Sequence, residues 1–368
     1  MSTPCFDLIV IGAGIVGASC AAAAADAGLR VAIVEPGPIG GGVTAAGMGH
    51  LVAMVGNPAE LALAQYSLGF WDNWADRPEA EFGRCGTLWV ARGETDAASL
   101  ATQVQRLRDA GISAETVDAT GLYQLEPELA PGLYGGMLVP HDAVVYAPRV
   151  TRALVQDAQA RGAQLFSGRS AKKLAPRQVI LDDGSRLSGP VLVATGNALA
   201  ELLPQLPLRQ RKGHLLITDR YPGWLRHQVL EMGYADSAHG DADSSVAFNV
   251  QPRPTGQLLI GSSREFSATD SAVSPTMLRR MLERAFDYMP GLRDLQALRS
   301  WTGFRPCTPD GLPYLGAVPE LPDVWVAAGH EGLGVTTAPG SALLLLDLIL
   351  QRTPAIDPTP YAPSRVAA

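Results

Sequence analysis

The chain has 368 residues, with 36 Asp and Glu against 29 Lys and Arg and a formal net charge of −7. That length allows two domains, or one elaborate one, with ample core, and an acidic balance without any Lys/Arg cluster argues against nucleic acid or an anionic membrane as partner. Cys5, Cys20, Cys85 and Cys307 are scattered with no C-x-x-C pair, so no zinc or iron–sulfur ligand set and no metal site is expected. They read as buried thiols, with a redox role for Cys307 as the alternative.

Met1 to Cys5 is too short for the charged start of a leader, which makes a cytoplasmic location the expectation. Leu8 to Ile11 is a continuous apolar run, as expected of a strand buried on both faces. Gly12, Gly14 and Gly17 then form a G-x-G-x-x-G turn. Gly12 permits the tight turn, Gly14 lets backbone approach a pyrophosphate, and Gly17 lets the helix of Ala18 to Ala27 lie close to the sheet. Glu35 ends the second strand, where its carboxylate can accept from ribose hydroxyls; a 2′-phosphate would sit badly there. The motif indicates an adenine dinucleotide without separating NAD from FAD.

Further on, Ala147 to Arg161 reads as an amphipathic helix and Ala163 to Phe166 as the next strand of the nucleotide domain. Val179 to Leu181, the turn Asp182 to Ser185, and Arg186-Leu187 read as a hairpin leading into Val191 to Ala194. His214 to Thr218, and Val246 to Ser262 with its turn Pro252 to Gly256, alternate like antiparallel strands; Met277 to Tyr288 reads as a helix. Val324 to Ala328 predicts a late strand, Gly329 to Gly334 a glycine-rich turn, and Ser341 to Leu350 a helix. That helix is too short to span a membrane and contains Asp347. Such a strand, loop and helix would aim a positive helix end at the cofactor, suited to the charge that a reduced flavin gathers at N1 and C2=O.

Taken with the first motif, Thr44 to Met48, Val191 to Gly196, Arg305 to Pro313 and Ala328-Gly329-His330 resemble the FAD-dependent D-amino-acid oxidase family in its glycine oxidase branch, from about residue 5 to about residue 352. The resemblance implies an α/β fold of the glutathione reductase / D-amino-acid oxidase type, a Rossmann-like FAD-binding domain interleaved with a mostly antiparallel-β substrate domain. The division it suggests is 1–50, 146–205 and 303–368 for FAD, and 51–145 and 206–302 for substrate. By position it implies Ile15 and Val16 over the pyrophosphate, Glu35 and Pro36 at the ribose, and Ala171 at the adenine. Thr195 and Gly196 are placed in the site, and Gly41, Gly42, Thr44, Ala46, Gly47 and Met48 along the flavin. Gly329, His330, Glu331, Gly332, Leu333, Gly334, Val335 and Thr336 form the C-terminal flavin loop.

In the family, the arginine of R-P-x-T-x-D-G-x-P pairs with the substrate carboxylate, and Arg305 stands there. The resemblance assigns no catalytic side chain, since flavin N5 takes the hydride. One departure is Glu331-Gly332-Leu333-Gly334, where glycine oxidases carry a second arginine. The Gly-His-Glu-Gly form resembles FAD-carrying β subunits of multi-subunit dehydrogenases for proline, hydroxyproline or opines, and Gly47 to Leu51 resembles their D-hydroxyproline dehydrogenase members. Glu331 and His50 are then candidates for a substrate ring nitrogen or hydroxyl and for biasing the substrate amine toward its neutral form. Their alternatives are a carboxylate at a helix start and a histidine packed under the flavin. Met48 and Phe248 are expected in the substrate pocket.

The expected reaction is oxidation of a secondary or cyclic D-amino acid, best cis-4-hydroxy-D-proline, to its imine, with further subunits of a flavin/iron–sulfur complex as possible partners. Alternatives are a glycine or sarcosine oxidase releasing peroxide, an NAD-dependent reductase, and a flavin-bearing electron-transfer or scaffold subunit.

Overall fold

The computed structural model describes residues 4–234 and 243–366. The reading of Met1 to Cys5 as too short for a leader therefore falls partly on residues outside those described. A six-stranded sheet runs in the order Tyr314–Ala317, Val324–Ala328, Val191–Val193, Leu8–Ile11, Val31–Glu35 and Gln164–Ser167. All its pairings are parallel except the edge strand Tyr314–Ala317. Leu8 to Ile11 lie near the middle of this sheet and are buried throughout, which is why that strand reads as unbroken apolar sequence.

Helices Ile15–Asp26, Ala147–Ala160, Pro58–Trp71 and Gly334–Ile349 form one layer with the sheet. Small residues set the spacing: a Cβ at Gly17 would meet the Gly12 carbonyl oxygen at 2.1 Å. On the other face lie the antiparallel strands Ala171–Ala175, Gln178–Leu181 and Arg186–Ser188. The late helix begins at Gly334, seven residues before the start expected at Ser341, and contains Pro339. Pro339 and Gly340 look like breakers, yet the Gly340 N–H donates to Ser67 Oγ at 3.1 Å, and a Cβ there would stand 2.3 Å from that oxygen. Tertiary contact with Pro58–Trp71 thus overrides local propensity. That helix lies within the 51–145 stretch allotted to substrate, yet packs on the nucleotide side.

The second sheet has eight strands in the order Ala297–Cys307, Arg209–Arg220, Gln257–Glu265, Ser244–Pro252, Gln228–Glu231, Thr87–Ala91, Gly135–Val139 and Glu115–Val117. Ala297–Cys307 runs through the expected boundary at 302/303 as an edge strand of this sheet. Strand alternation gives the sheet two different faces. Leu88, Val90, Val229, Phe248, Val250 and Ile260 pack in a core with Met281, Ala285 and Tyr288 of helix Pro275–Tyr288. Their neighbours Thr87, Gln228, Asn249 and Gln251 point the other way, toward the cofactor-side loops. Cys20 and Cys307 are buried, but Cys85 is half-buried and Cys5 exposed, contrary to the expectation of four buried thiols.

Candidate active site

Between the two sheets lies a cavity of about 950 Å³. One end is built by the glycine turn. Gly12 has φ +103°, and a Cβ there would sit 2.5 Å from the Ala194 carbonyl oxygen. Gly14 caps helix Ile15–Asp26, whose first turn has no acidic residue, so its positive end is open to an anion. Thr44 Oγ1 accepts from the Ile15 N–H at 3.0 Å and brings the 41–48 loop onto this turn. Glu35 accepts from the N–H groups of Ala13 at 2.7 Å and Gly37 at 2.8 Å, one to each carboxylate oxygen, which fixes its direction and leaves lone pairs for a further donor.

Ile15, Val16, Pro36, Gly41, Gly42, Ala46, Gly47, Met48, Ala171, Thr195 and Gly196 all line the cavity. Asn197 lines it as well and was missed from sequence; its Nδ2 donates to the Phe304 carbonyl at 2.7 Å. Thr195 Oγ1 and Asn197 Oδ1 are buried there without a hydrogen-bond partner. The 43–46 segment is seated on the second sheet by Trp301, whose Nε1 donates to the Ala46 carbonyl at 3.2 Å.

The late loop forms a second wall. Gly329, His330, Glu331, Gly332, Gly334 and Val335 line the cavity, while Leu333 and Thr336 stand behind it. Thr336 Oγ1 donates to the His50 carbonyl at 3.0 Å and accepts from the Val52 N–H at 3.2 Å. Gly17 likewise serves helix packing rather than the wall. His330 shares a hydrogen bond of 3.1 Å with Ser341 Oγ, and burial pushes its imidazole down to about 4. Glu331, at φ +49°, pairs with Arg211 at 3.5 Å and accepts from the Gly332 N–H. Cys307 is not on the wall, and burial, with Glu331 nearby, pushes its thiol up to about 12, which leaves no thiolate for redox work at neutral pH.

At the far end stands Arg305, with Nη1 donating to the Ser263 carbonyl at 3.2 Å. It lies over Gly213, where a Cβ would come within 2.6 Å of Nη1. Beside it, His50 Nδ1 bonds Gln228 Oε1. The Gln228 amide nitrogen donates to the Ala143 carbonyl at 3.1 Å and Thr87 Oγ1 at 3.3 Å, so its oxygen faces His50 and the proton sits on Nδ1. His50 Nε2 accepts from Asn249 Nδ2 at 3.1 Å and lies 3.3 Å from Met48 Sδ. Burial pushes His50 down to about 4, helped by Arg253 and Arg305 and opposed by the Gln228 bond. At neutral pH it is therefore an uncharged ring locked in one tautomer. Gln251 donates to the Met48 carbonyl at 2.7 Å and holds that residue against the pocket.

Phe248 does not reach the site. It is fully buried on the opposite sheet face, stacked on Tyr288 with ring centroids 4.6 Å apart, because strand alternation sends Asn249 rather than Phe248 to the cavity side. Asn249 Oδ1 is buried without a partner. Tyr234 was also missed; it lines the cavity, with its hydroxyl 3.3 Å from Ser262 Oγ and the Arg264 guanidinium 4.6 Å from its ring centroid. Burial would raise its phenol, but Arg264 and Arg305 bring it below the ordinary tyrosine value. Among the described residues no His/Cys/Asp/Glu cluster could hold a metal, and no helix is long and apolar enough to cross a membrane.

The family model of FAD dependent oxidoreductases (DAO) matches residues 7–348. A glycine oxidase of Pseudomonas aeruginosa is 30% identical, over 97% of this chain and 98% of that protein. A D-amino acid dehydrogenase of Rhizorhabdus wittichii is 29% identical, over 74% of this chain and 65% of its own length. The crystal structure of a glycine oxidase from Geobacillus kaustophilus superposes with a TM-score of 0.86 at 27% identity, covering 99% of both chains.

Proposed function

Because the chain belongs to the FAD-dependent oxidoreductase family and is a flavoenzyme of amino-acid CH–NH bonds, we propose that its substrate is a small amino acid, in the manner of glycine or sarcosine, seated with its carboxylate on Arg305. The observation that carries this reading is Arg305 itself. Its guanidinium stands in the cavity with one nitrogen tied to the Ser263 carbonyl and the rest of the fork available.

The residues present fit the cofactor. Gly14, Ile15 and Val16 would hold the pyrophosphate, Glu35 the ribose, and the 329–335 loop the flavin, while Thr195 Oγ1 and Asn197 Oδ1 are buried polar atoms in the cavity wall that still lack partners. FAD supplies the electron sink for the hydride that leaves Cα. The chain's own contribution is placement. Arg305 fixes the carboxylate, and Met48 and neutral His50 bound the pocket beside it. An uncharged His50 adds no positive charge next to the amine, and Tyr234 forms part of the same wall.

His50 and Glu331, both on the cavity wall, favour a second reading in which they recognise the ring nitrogen or hydroxyl of cis-4-hydroxy-D-proline, oxidised within a larger dehydrogenase complex. Anaerobic bleaching of the yellow protein by glycine, sarcosine, D-proline and cis-4-hydroxy-D-proline separates them. Bleaching by glycine or sarcosine, with peroxide on admitting oxygen, supports the first reading. Bleaching by hydroxyproline alone supports the second, and no bleaching by any of them overturns both.

A further inference from the structure

Arg305 is not the only guanidinium on the cavity side of the large sheet. Register pairs Arg305 with Arg211 and Lys212 with Glu265. Arg264, the neighbour of Glu265, therefore shares the face of Arg211 and Arg305. It is 4% exposed, and among the described residues neither its Nε nor its Nη1 has a hydrogen-bond partner. Its guanidinium carbon lies 4.6 Å from the centroid of the Tyr234 ring, a residue of the cavity wall.

Of the charged groups around it, Glu331 attracts it, while Arg305 and Arg211 repel it. Glu331 is shared, because it pairs with Arg211. A buried guanidinium with two empty donors beside another guanidinium is unfavourable by itself and becomes favourable when an anion arrives. One substrate carboxylate, spent on Arg305, leaves Arg264 as it was.

We propose that Arg264 binds a second carboxylate of the substrate, so that the site is built for an amino dicarboxylate. This rests on the reading of Arg305 as the anchor for the first carboxylate. It deepens that reading by naming the substrate class, a small amino acid that carries a second carboxylate and is bound more tightly than glycine or sarcosine. Arg264 is not itself part of the cavity wall, but the Tyr234 ring packed against it is, so the second carboxylate reaches Arg264 past Tyr234.

The test uses unreactive acids, read by the change they cause in the flavin spectrum of the holoenzyme. Malonate, succinate and glutarate are titrated against acetate, propionate and butyrate. At least one diacid is expected to bind about ten-fold or more tightly than the monoacid of equal length, as for an added charge-assisted pair. In Arg264→Met the preference falls to within about two-fold while monoacid affinity stays; Arg305→Met weakens both series.

No diacid preference in the unmodified protein, a result that needs no variant to fold, overturns the proposal. So does a preference that survives Arg264→Met. If instead Arg305→Met leaves monoacid binding unchanged, the anchor reading fails, and the second-carboxylate proposal falls with it.

Discussion

Asp142 offers a sharp test of the chemistry beneath the pocket. It is 1% exposed, its carboxyl accepts from Thr87 and from the Ala53 backbone, and Oδ2 has no partner. Burial outweighs those two bonds and pushes the group up to about 8. A folded-state pKa above the unfolded value of 3.8 means that the folded protein binds an extra proton between the two values, so stability falls as pH rises through that window. At pH 7 keeping this carboxyl protonated costs about 4 kcal/mol, from about 1.36 kcal/mol per pH unit over roughly three units.

Asp142→Asn keeps the shape and the accepting oxygen and removes the titration, but leaves an amide N–H unpaired at a loss of about 1–2 kcal/mol. The variant is therefore expected to be more stable at pH 7 by about 2–3 kcal/mol, and no more stable at pH 4. Urea unfolding of the holoprotein at pH 4, 5.5, 7 and 8 measures this. A variant-minus-parent difference that does not change with pH would refute the reasoning, because it would mean that Asp142 is ionised in the fold.

Three further outcomes are expected. Arg305→Met should weaken amino-acid binding by about 2–4 kcal/mol with the yellow colour retained, checked by the concentration dependence of anaerobic flavin reduction; unchanged dependence would take Arg305 out of the site. Because His50 titrates near 4, its neutral form prevails from about pH 5 upward, so the rate of flavin reduction should show no step belonging to His50 between pH 5.5 and 7.5. A step present in the parent and absent in His50→Gln would show that the ring charges there. Gly12→Ala should yield colourless or unfolded protein, since its Cβ would meet the Ala194 carbonyl oxygen at 2.5 Å in a left-handed backbone; a yellow, stable variant would contradict this.

What could be read from sequence was what depends on short-range geometry. Gly12, Gly14, Gly17 and Glu35 announce themselves because backbone turns and a strand end dictate those residue types at fixed spacing. Arg305 and the Gly-His loop were legible only through motif resemblance. Phe248 was misplaced because the face of a strand depends on its register against strands far away in sequence, and one residue of slip exchanges Phe248 for Asn249. Arg264 went unseen for the same reason, and Tyr234, outside any strand, carries no periodicity that would place it. The start of the late helix was missed because the contact that supports its first turns, Gly340 on Ser67 of a distant helix, is not visible in local sequence.

Thr336 ties the late loop to the His50 segment: one hydroxyl on helix Gly334–Ile349 holds the backbone of His50 and of Val52. A substitution that moves His50 must pull on the same turn that lines the cavity. One side chain therefore pins the late loop and the His50 segment together. A lineage that retunes one will carry compensating changes in the other, and laboratory evolution of new specificity should recover them at 333–337 as often as in the pocket itself.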